Sequence, residues 1–237
     1  MVAPRMPDTK IQALIFQKAA RDFRYLLNRG YPRRAALELV GNRYQLVHEE
    51  RHLLHRSVFS SADAKSRQKR IVRLHSIKGK PLAIDGYNVI ITIEAGLSGR
   101  PLIIGDDGFV RDISGLSANF KSSSKTTRAI QLILDALKRT KPSSTRFLFD
   151  APISKSGALA EEVRTRMKEA NLPGDALAIK VPEEILIGFP GIVATSDTAI
   201  IDQSKRVVDL AGTLLRRKIK PKTMLRWTRR EQFSRFD

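Results

Sequence analysis

The sequence predicts an α/β protein: a mostly parallel sheet with helices on both faces, preceded by a small all-helical basic unit. Three observations predict it. Short apolar runs of strand length, PLAID (81–85), TRFLFD (145–150) and GIVATSD (191–197), alternate with segments of helical spacing in the second part of the chain, the pattern of strands buried on both faces. Residues 1–79 show helical spacing without strand runs. The 237 residues are long enough to bury one sizeable core with a smaller unit beside it.

The elements follow in order. Residues 8–29 place Leu14, Ile15, Ala19, Phe23, Leu26 and Leu27 near helical spacing, and Gly30 and Pro32 punctuate the chain. Residues 33–56 read as one or two further helices and 62–75 as a basic helix. SIKGKP breaks the pattern, which puts a boundary near residue 79. After PLAID, residues 101–113 read as a hairpin turning at Asp106-Asp107-Gly108. A helix over 124–140 follows, with Ser124 as its cap. Then come the strand 145–150, a helix over 156–170, and strands at 176–181 and 191–197. A short helix TAIID, a strand at 206–212 and a last helix from Thr213 complete the body. The units expected are thus 1–79, 80–220 and a basic tail, 221–237, with Trp227, Phe233 and Phe236 interleaved.

Composition excludes several classes. There is no cysteine, which removes disulfide frameworks and Cys-ligated zinc or iron–sulfur sites and fits a reducing, cytoplasmic setting. No apolar run reaches membrane-spanning length, and MVAPRMPDTK lacks the apolar core of a secretory signal. No Walker loop and no G-x-G-x-x-G occurs, so no small-molecule cofactor is expected. All four histidines precede residue 80, which leaves no Ser-His-Asp triad in the α/β part.

The net charge is +19, and it is unevenly placed. Residues 1–80 carry 18 Lys/Arg against 6 Asp/Glu, residues 205–237 carry 11 against 3, and the middle carries 14 against 15. Two basic arms around a neutral body point to a polyanion, most simply RNA or DNA, bound largely through its phosphates. Arg24, Arg33, Arg34 and Arg43 lie among Tyr25, Tyr31 and Tyr44, a mixture suited to phosphate contact and base stacking. Lys69, Arg70 and Arg73, and in the tail Arg216, Arg217, Arg229 and Arg230, are further phosphate candidates. The plainer reading makes Tyr25 and Tyr44 core and the arginines a solvated face. A helix-turn-helix around Gly30–Pro32 would point instead to DNA.

Three strands end on an acid: Asp85, Asp150 and Asp197, with Asp202 five residues on. Ligands bind outside the carboxyl ends of parallel strands. Carboxylates gathered there repel one another unless a cation lies among them, and all-oxygen ligands suit Mg²⁺ or Mn²⁺. Such ions polarise phosphodiesters and activate water. Taken singly, Asp197 before TAII reads equally well as a helix cap.

These residues also carry a resemblance. LAIDGYNVI resembles the opening strand of the NYN branch of the PIN-like nuclease superfamily, where Asp-Gly-x-Asn follows an apolar strand. FLFDA is similar to its second acidic strand, and VATSDTAIID to its late Thr-Ser-Asp strand and following acid. The likeness covers about residues 81–218 and implies a three-layer α/β/α fold and Mg²⁺- or Mn²⁺-dependent RNA cleavage. It implies Asp85, Asp150 and Asp197 as metal ligands, Asn88 as an orienting residue, Asp202 as a completing acid and Ser196 as a phosphate contact. The acids that normally precede the Thr-Ser-Asp strand are replaced by VPEEILIGFPG. Glu183 or Glu184 would stand in there, Glu184 as the metal ligand, and Glu94 is another candidate elsewhere in the chain. The whole chain resembles an uncharacterised archaeal family with a helical N-terminal part.

One motif competes. HEERH (48–52) fits the H-E-x-x-H zinc protease pattern, with His55 one turn on. Its surroundings are a charged helical arm without a following glycine or further ligand, so a solvated helix face is the simpler reading. The expected function is a divalent-metal-dependent ribonuclease acting on structured RNA of the tRNA or rRNA class. The alternative is a non-catalytic RNA-binding or ribosome-associated factor on the same fold.

Overall fold

The computed structural model describes residues 10–113, 120–216 and 224–226. Four helices come first: α1 (Lys10–Asn28), α2 (Arg33–Arg43), α3 (His48–Ser57) and α4 (Ser61–Arg70). In α1 the spacing of Phe16, Ala19, Ala20 and Phe23 gives one apolar face, and all four are buried with Val40 of α2 and Leu53 and Leu54 of α3. Gly30, at φ +81°, makes the left-handed turn between α1 and α2. Ser60 caps α4, its Oγ accepting from the Asp63 amide at 3.0 Å. The basic helix is shorter than its charge pattern indicated. After Arg70 the chain extends, and the Val72 amide donates to the Val207 carbonyl at 2.8 Å. A 3₁₀ turn at Leu74–Ile77 then leads to the sheet.

The remaining elements are β1 (Pro81–Asp85), α5 (Gly86–Leu97), β2 (Leu102–Ile104), β3 (Val110–Asp112) and α6 (Ser124–Thr140). After them come β4 (Ser144–Asp150), α7 (Ser156–Glu169), β5 (Gly174–Ile179) and α8 (Pro182–Ile187). Last are β6 (Ile192–Ala194), α9 (Thr198–Gln203), β7 (Val207–Val208), α10 (Leu210–Arg216) and β8 (Met224–Arg226). Five strands form a fully parallel sheet in the order β5-β4-β1-β6-β7. Alternation sends Leu82, Ile84, Phe147 and Phe149 into the main core with residues of α5, α6, α7 and α10. The intervening Ala83, Leu148 and Val193 pack on the other face with Leu186 of α8 and Ile200 of α9. The chain runs outward from β1 through β4 to β5, then returns past β1 to lay down β6 and β7. The strand order therefore reverses between β1 and β6.

A second, three-stranded sheet has the order β3-β2-β8. The hairpin turns at the expected Asp106-Asp107-Gly108, with Gly108 at φ +89°. Its Ile103 and Ile113 complete the core of the helical unit, so that unit closes around a piece of the α/β part. The tail supplies β8, which pairs in parallel with β2. Arg217, Trp227, Arg229, Arg230, Phe233 and Phe236 lie outside the described residues.

Further expected elements differ. The strand expected at 191–197 stops at Ala194, so Asp197 lies three residues past it. The strand expected at 206–212 is only two residues long, because Asp209 ends it. Its carboxylate accepts from the Gly212 amide at 2.9 Å and starts α10 at Leu210. The cap of α6 is Ser123 rather than Ser124. No helix among the described residues is long and apolar enough to cross a membrane.

Candidate functional site

The carboxyl ends of β1 and β6 flank the reversal in strand order, where parallel sheets of this kind open a crevice. Asp85 ends β1, and the chain turns at once into α5. Gly86 permits that turn, since a Cβ there would meet Phe149 Cε1 at 2.4 Å and the Leu148 carbonyl at 2.9 Å. Asp85 occupies the N-cap position of α5 without making a side-chain cap hydrogen bond. Its Oδ2 instead accepts from the Thr195 hydroxyl at 2.8 Å. The Asp197 amide donates to the same Thr195 Oγ1 at 3.0 Å. One hydroxyl thus bonds both the Asp85 carboxylate and the Asp197 backbone amide, three residues past the end of β6.

Electrostatics agrees with that proximity. Burial pushes the Asp85 carboxyl up to about 7, the Asp197 and Glu183 charges add to the push, and the Thr195 hydroxyl and Asn88 amide oppose it. Asp197 is exposed and caps α9, its Oδ1 accepting from the Ala199 and Ile200 amides at 2.8 and 3.2 Å. The capping role expected for it alone is real and coexists with its place at the crevice. Asn88 Oδ1 accepts from both the amide and the hydroxyl of Ser196, at 2.8 and 2.9 Å. The Asn88 NH₂ is the donor end of the same amide.

The other predicted acids are placed differently. Asp85 stands opposite Leu148, so Asp150 reaches two residues further, roughly 7 Å along the sheet. Asp150 faces Tyr87, whose hydroxyl is buried without a partner and pushed up to about 12 by burial and then by the Asp150 charge. Asp202 is held in a two-armed ion pair by Arg67, at 2.7 and 2.8 Å. Glu184 is not brought to the crevice: it lines a cavity of about 530 Å³ with Pro81, Ser144 and Gly174, at the amino ends of the strands. The two glutamates diverge because they are adjacent on a single helical turn, α8, and it is Glu183 whose charge reaches Asp85. Glu94 is buried and accepts from the Thr126 hydroxyl. Burial holds its carboxyl above the usual range. Among the described residues, no three His, Cys, Asp or Glu side chains converge as a metal-ligand set. His48 and His52 stack at 6.5 Å, and burial lowers both His52 and His55.

The basic candidates separate into two groups. Arg24 is paired two-armed with Asp106 at 2.8 Å on both arms. Arg33 donates to the His55 and Val58 carbonyls, and its guanidinium lies over the rings of Phe23 and Phe59. Arg70 donates to the Ser204 carbonyl at 2.5 Å, and Arg216 to Gly108 at 3.0 Å with Asp209 at 3.1 Å. Arg24, Arg33 and Arg70 are internal ties, because their long side chains reach acids or carbonyls of the fold, whereas Arg216 is tied in the same way but remains exposed. Arg34, Arg43, Lys69 and Arg73 are exposed. Lys18 and Arg21, which sequence reading missed, extend the interleaved Tyr25 and Arg29 into an exposed stripe along α1 and just past its end. Tyr25 is 56% exposed, and the Arg29 guanidinium lies 5.1 Å from its ring centre.

Comparison with known proteins gives the chain its relatives. The family described as a domain of unknown function (DUF5616) matches residues 74–213, and the family described as a protein of unknown function (DUF434) matches residues 15–70. The uncharacterized protein MJ0935 of Methanocaldococcus jannaschii is 37% identical over 196 residues, covering 82% of this chain and 93% of that protein. No solved structure matches the chain. The α/β part with its crevice, spanning more than half of the chain, makes this protein a member of the DUF5616 family, with a DUF434 region before it.

Proposed function

We propose that the protein is a divalent-metal-dependent ribonuclease of the PIN-like, NYN type, cutting structured RNA of the tRNA or rRNA class. The observation that carries this reading is the Thr195 hydroxyl joining Asp85 to Asp197 where the strand order reverses. The Asp197 charge acts on the buried Asp85 carboxyl, and a cation between two such carboxylates relieves their repulsion. A pair is sufficient, because Mg²⁺ keeps several waters and is held by one or two carboxylates together with substrate phosphates. The donor set fits the ion. When bound, the ion would supply polarisation of the phosphodiester and a more acidic water.

The chain's own residues do the rest. Asp85 and Asp197 would hold the ion, and Thr195 keeps the Asp85 carboxylate turned toward the crevice. Asn88, fixed through its oxygen by Ser196, would present its NH₂ to a phosphate oxygen. The exposed Arg34, Arg43, Lys69 and Arg73, with the Lys18–Arg21–Tyr25–Arg29 stripe, would grip RNA by phosphate contact and stacking.

A second reading has its own support: a non-catalytic RNA-binding or ribosome-associated factor. It is favoured by Asp202, which Arg67 already engages, and by the spread of the remaining acids. One assay separates the two. Labelled tRNA and rRNA fragments are incubated with the protein and Mn²⁺ or Mg²⁺, beside EDTA and Asp85→Asn controls. Metal-dependent cutting that disappears in the variant supports the nuclease. RNA binding by both proteins without cutting overturns it in favour of the binder.

A further inference from the structure

Asp197 is carried by a very short element. α9 has six residues, well below the length at which a helix holds its own shape. Its orientation must come from ties to its surroundings, and the structure supplies them at both ends, Arg70 holding the carbonyl of the C-cap Ser204 among them. Before it, the Ser196 carbonyl accepts from Arg111 Nε at 2.9 Å. Within its last turn, Asp202 accepts from Arg67 Nε and Nη2 at 2.7 and 2.8 Å.

The two arginines meet at one carboxylate. Asp107 accepts from Arg111 Nη1 and Nη2 at 2.8 and 2.7 Å, and Arg67 Nη1 lies 3.5 Å from Asp107 Oδ2. The side chains of Asp107, Arg111 and Arg67 are 0%, 3% and 7% exposed. The Phe59 ring packs against both guanidiniums, at 4.5 Å from Arg67 and 5.2 Å from Arg111. A buried charge network is a poor route to stability, since apolar groups of the same volume serve as well or better. What charges with fixed, forked geometry add is orientation.

We propose that Arg67 and Arg111, joined through Asp107, are positioning residues for Asp197, clamping both ends of the short helix that carries it. Arg67 comes from the DUF434 region and Asp202 from the DUF5616 region. The helical unit is then part of the site's framework as well as a handle for RNA. The turn that reads in sequence as an ordinary hairpin tip is the hub of the clamp. The role assigned to Asp197 rests on the ribonuclease reading, while the clamp rests on the contacts alone.

The test uses the full chain with Arg67→Met, Arg111→Met and the milder, surface-side Asp202→Asn. Arg56→Met is the control: it breaks another tie from the helical unit to the hairpin, Arg56 to Asp112 at 3.2 Å, without touching α9. Amide hydrogen exchange of residues 195–203 is followed in EDTA, and kcat and KM are measured on a cleaved RNA. The three clamp variants are expected to speed exchange in that segment by about tenfold or more, local opening being free of global unfolding. They are expected to lower kcat by about 10–100-fold, as small misplacements of reacting groups do, with KM nearly unchanged. Arg56→Met is expected to move neither. Equal effects in Arg56→Met and the clamp variants, or unchanged exchange in Asp202→Asn and Arg67→Met, would overturn the proposal. A wild-type protein that cuts no RNA would sink the ribonuclease reading, and the exchange comparison would still decide the clamp.

Discussion

Thr195 donates its hydroxyl to Asp85 across two neighbouring strands, at 2.8 Å, and is itself 2% exposed. The bond is made where β1 and β6 diverge, so it fixes the direction of the carboxylate at the mouth of the crevice. Replacing Thr195 by Val keeps the shape and deletes the donor. Mn²⁺ affinity and RNA cleavage are expected to fall about 10–100-fold, the usual effect of losing a partner that orients a ligand. Thr195→Ser, which keeps the hydroxyl, is expected to retain most of both. Equal loss in the two variants would show that the methyl packing, not the hydroxyl, matters.

The raised Asp85 carboxyl makes a prediction about stability. Its folded value is about 7 against 3.8 for the free side chain, raised chiefly by burial. A carboxyl raised on folding binds its proton more tightly in the native state. It therefore favours folding at low pH, and that contribution is lost as pH rises from about 4 to about 7. Asp85→Asn removes the penalty and keeps an acceptor for Thr195. In EDTA the variant is expected to melt higher than wild type at pH 8, by up to a few kcal/mol of stability, with the gap closing toward pH 4.5. Melting curves across that range check it, and a gap independent of pH would refute it. Added Mg²⁺ is expected to raise the wild-type melting temperature at pH 8 and leave the variant unmoved.

Much of the fold is legible in the sequence because its signals are local. PLAID, TRFLFD and the hairpin with its Asp-Asp-Gly tip stand where the texture puts them. Residues 86–97 carry no such signal. Val89, Ile90, Ile91, Thr92 and Ile93 have strand preference, yet they form α5, a helix buried nearly all round. Tertiary burial overrides propensity there. The acids divide in the same way. Asp85 ends β1, Asp197 follows β6 by three residues, and nearby Thr195 bonds to both. Asp202, Asp106 and Asp107 find arginines 135, 82 and 4 residues away in sequence. Two of those separations no linear pattern reveals.

Arg33 and Arg34 are adjacent in sequence and opposite in role. Arg33 sits over Phe23 and Phe59 at 5.2 and 4.8 Å, and burial lowers its guanidinium to about 10. Arg34 is exposed. Arg33→Ala strips a buried cation from two rings and two carbonyls and is expected to destabilise the protein by about 2–4 kcal/mol. Arg34→Ala is expected to leave the melting temperature unchanged and weaken RNA binding. Its salt dependence is expected to lose a slope of about 0.7–0.9 for the one phosphate contact removed. Denaturant melts and RNA binding at several salt concentrations check both. A reversal of the two phenotypes would overturn the assignment.

Gly86 is the residue on which the close approach of the β1–α5 turn to β4 depends. A Cβ there would lie 2.4 and 2.5 Å from two atoms of the Phe149 ring. That ring cannot swing away, because it is fully buried, edge-on to Tyr87 at 5.3 Å and stacked on Phe147 at 6.4 Å. The helix must move instead, and Asp85 with it. Gly86→Ala is expected to cost about 1–3 kcal/mol, as overpacking of a dense core does. Cleavage is expected to fall further than stability alone explains, since Asp85 loses its alignment with Thr195. Gly157→Ala is the matched comparison. Gly157 lies in the first turn of α7, and a methyl group there would meet nothing within 4 Å. Alanine at that position is therefore expected to be neutral or to stabilise by up to about 1 kcal/mol. Thermal melts of the two variants, with cleavage measured well below either transition, decide the point. An active and fully stable Gly86→Ala protein would mean that the strand-to-helix turn tolerates a side chain and that Asp85 is not held by it.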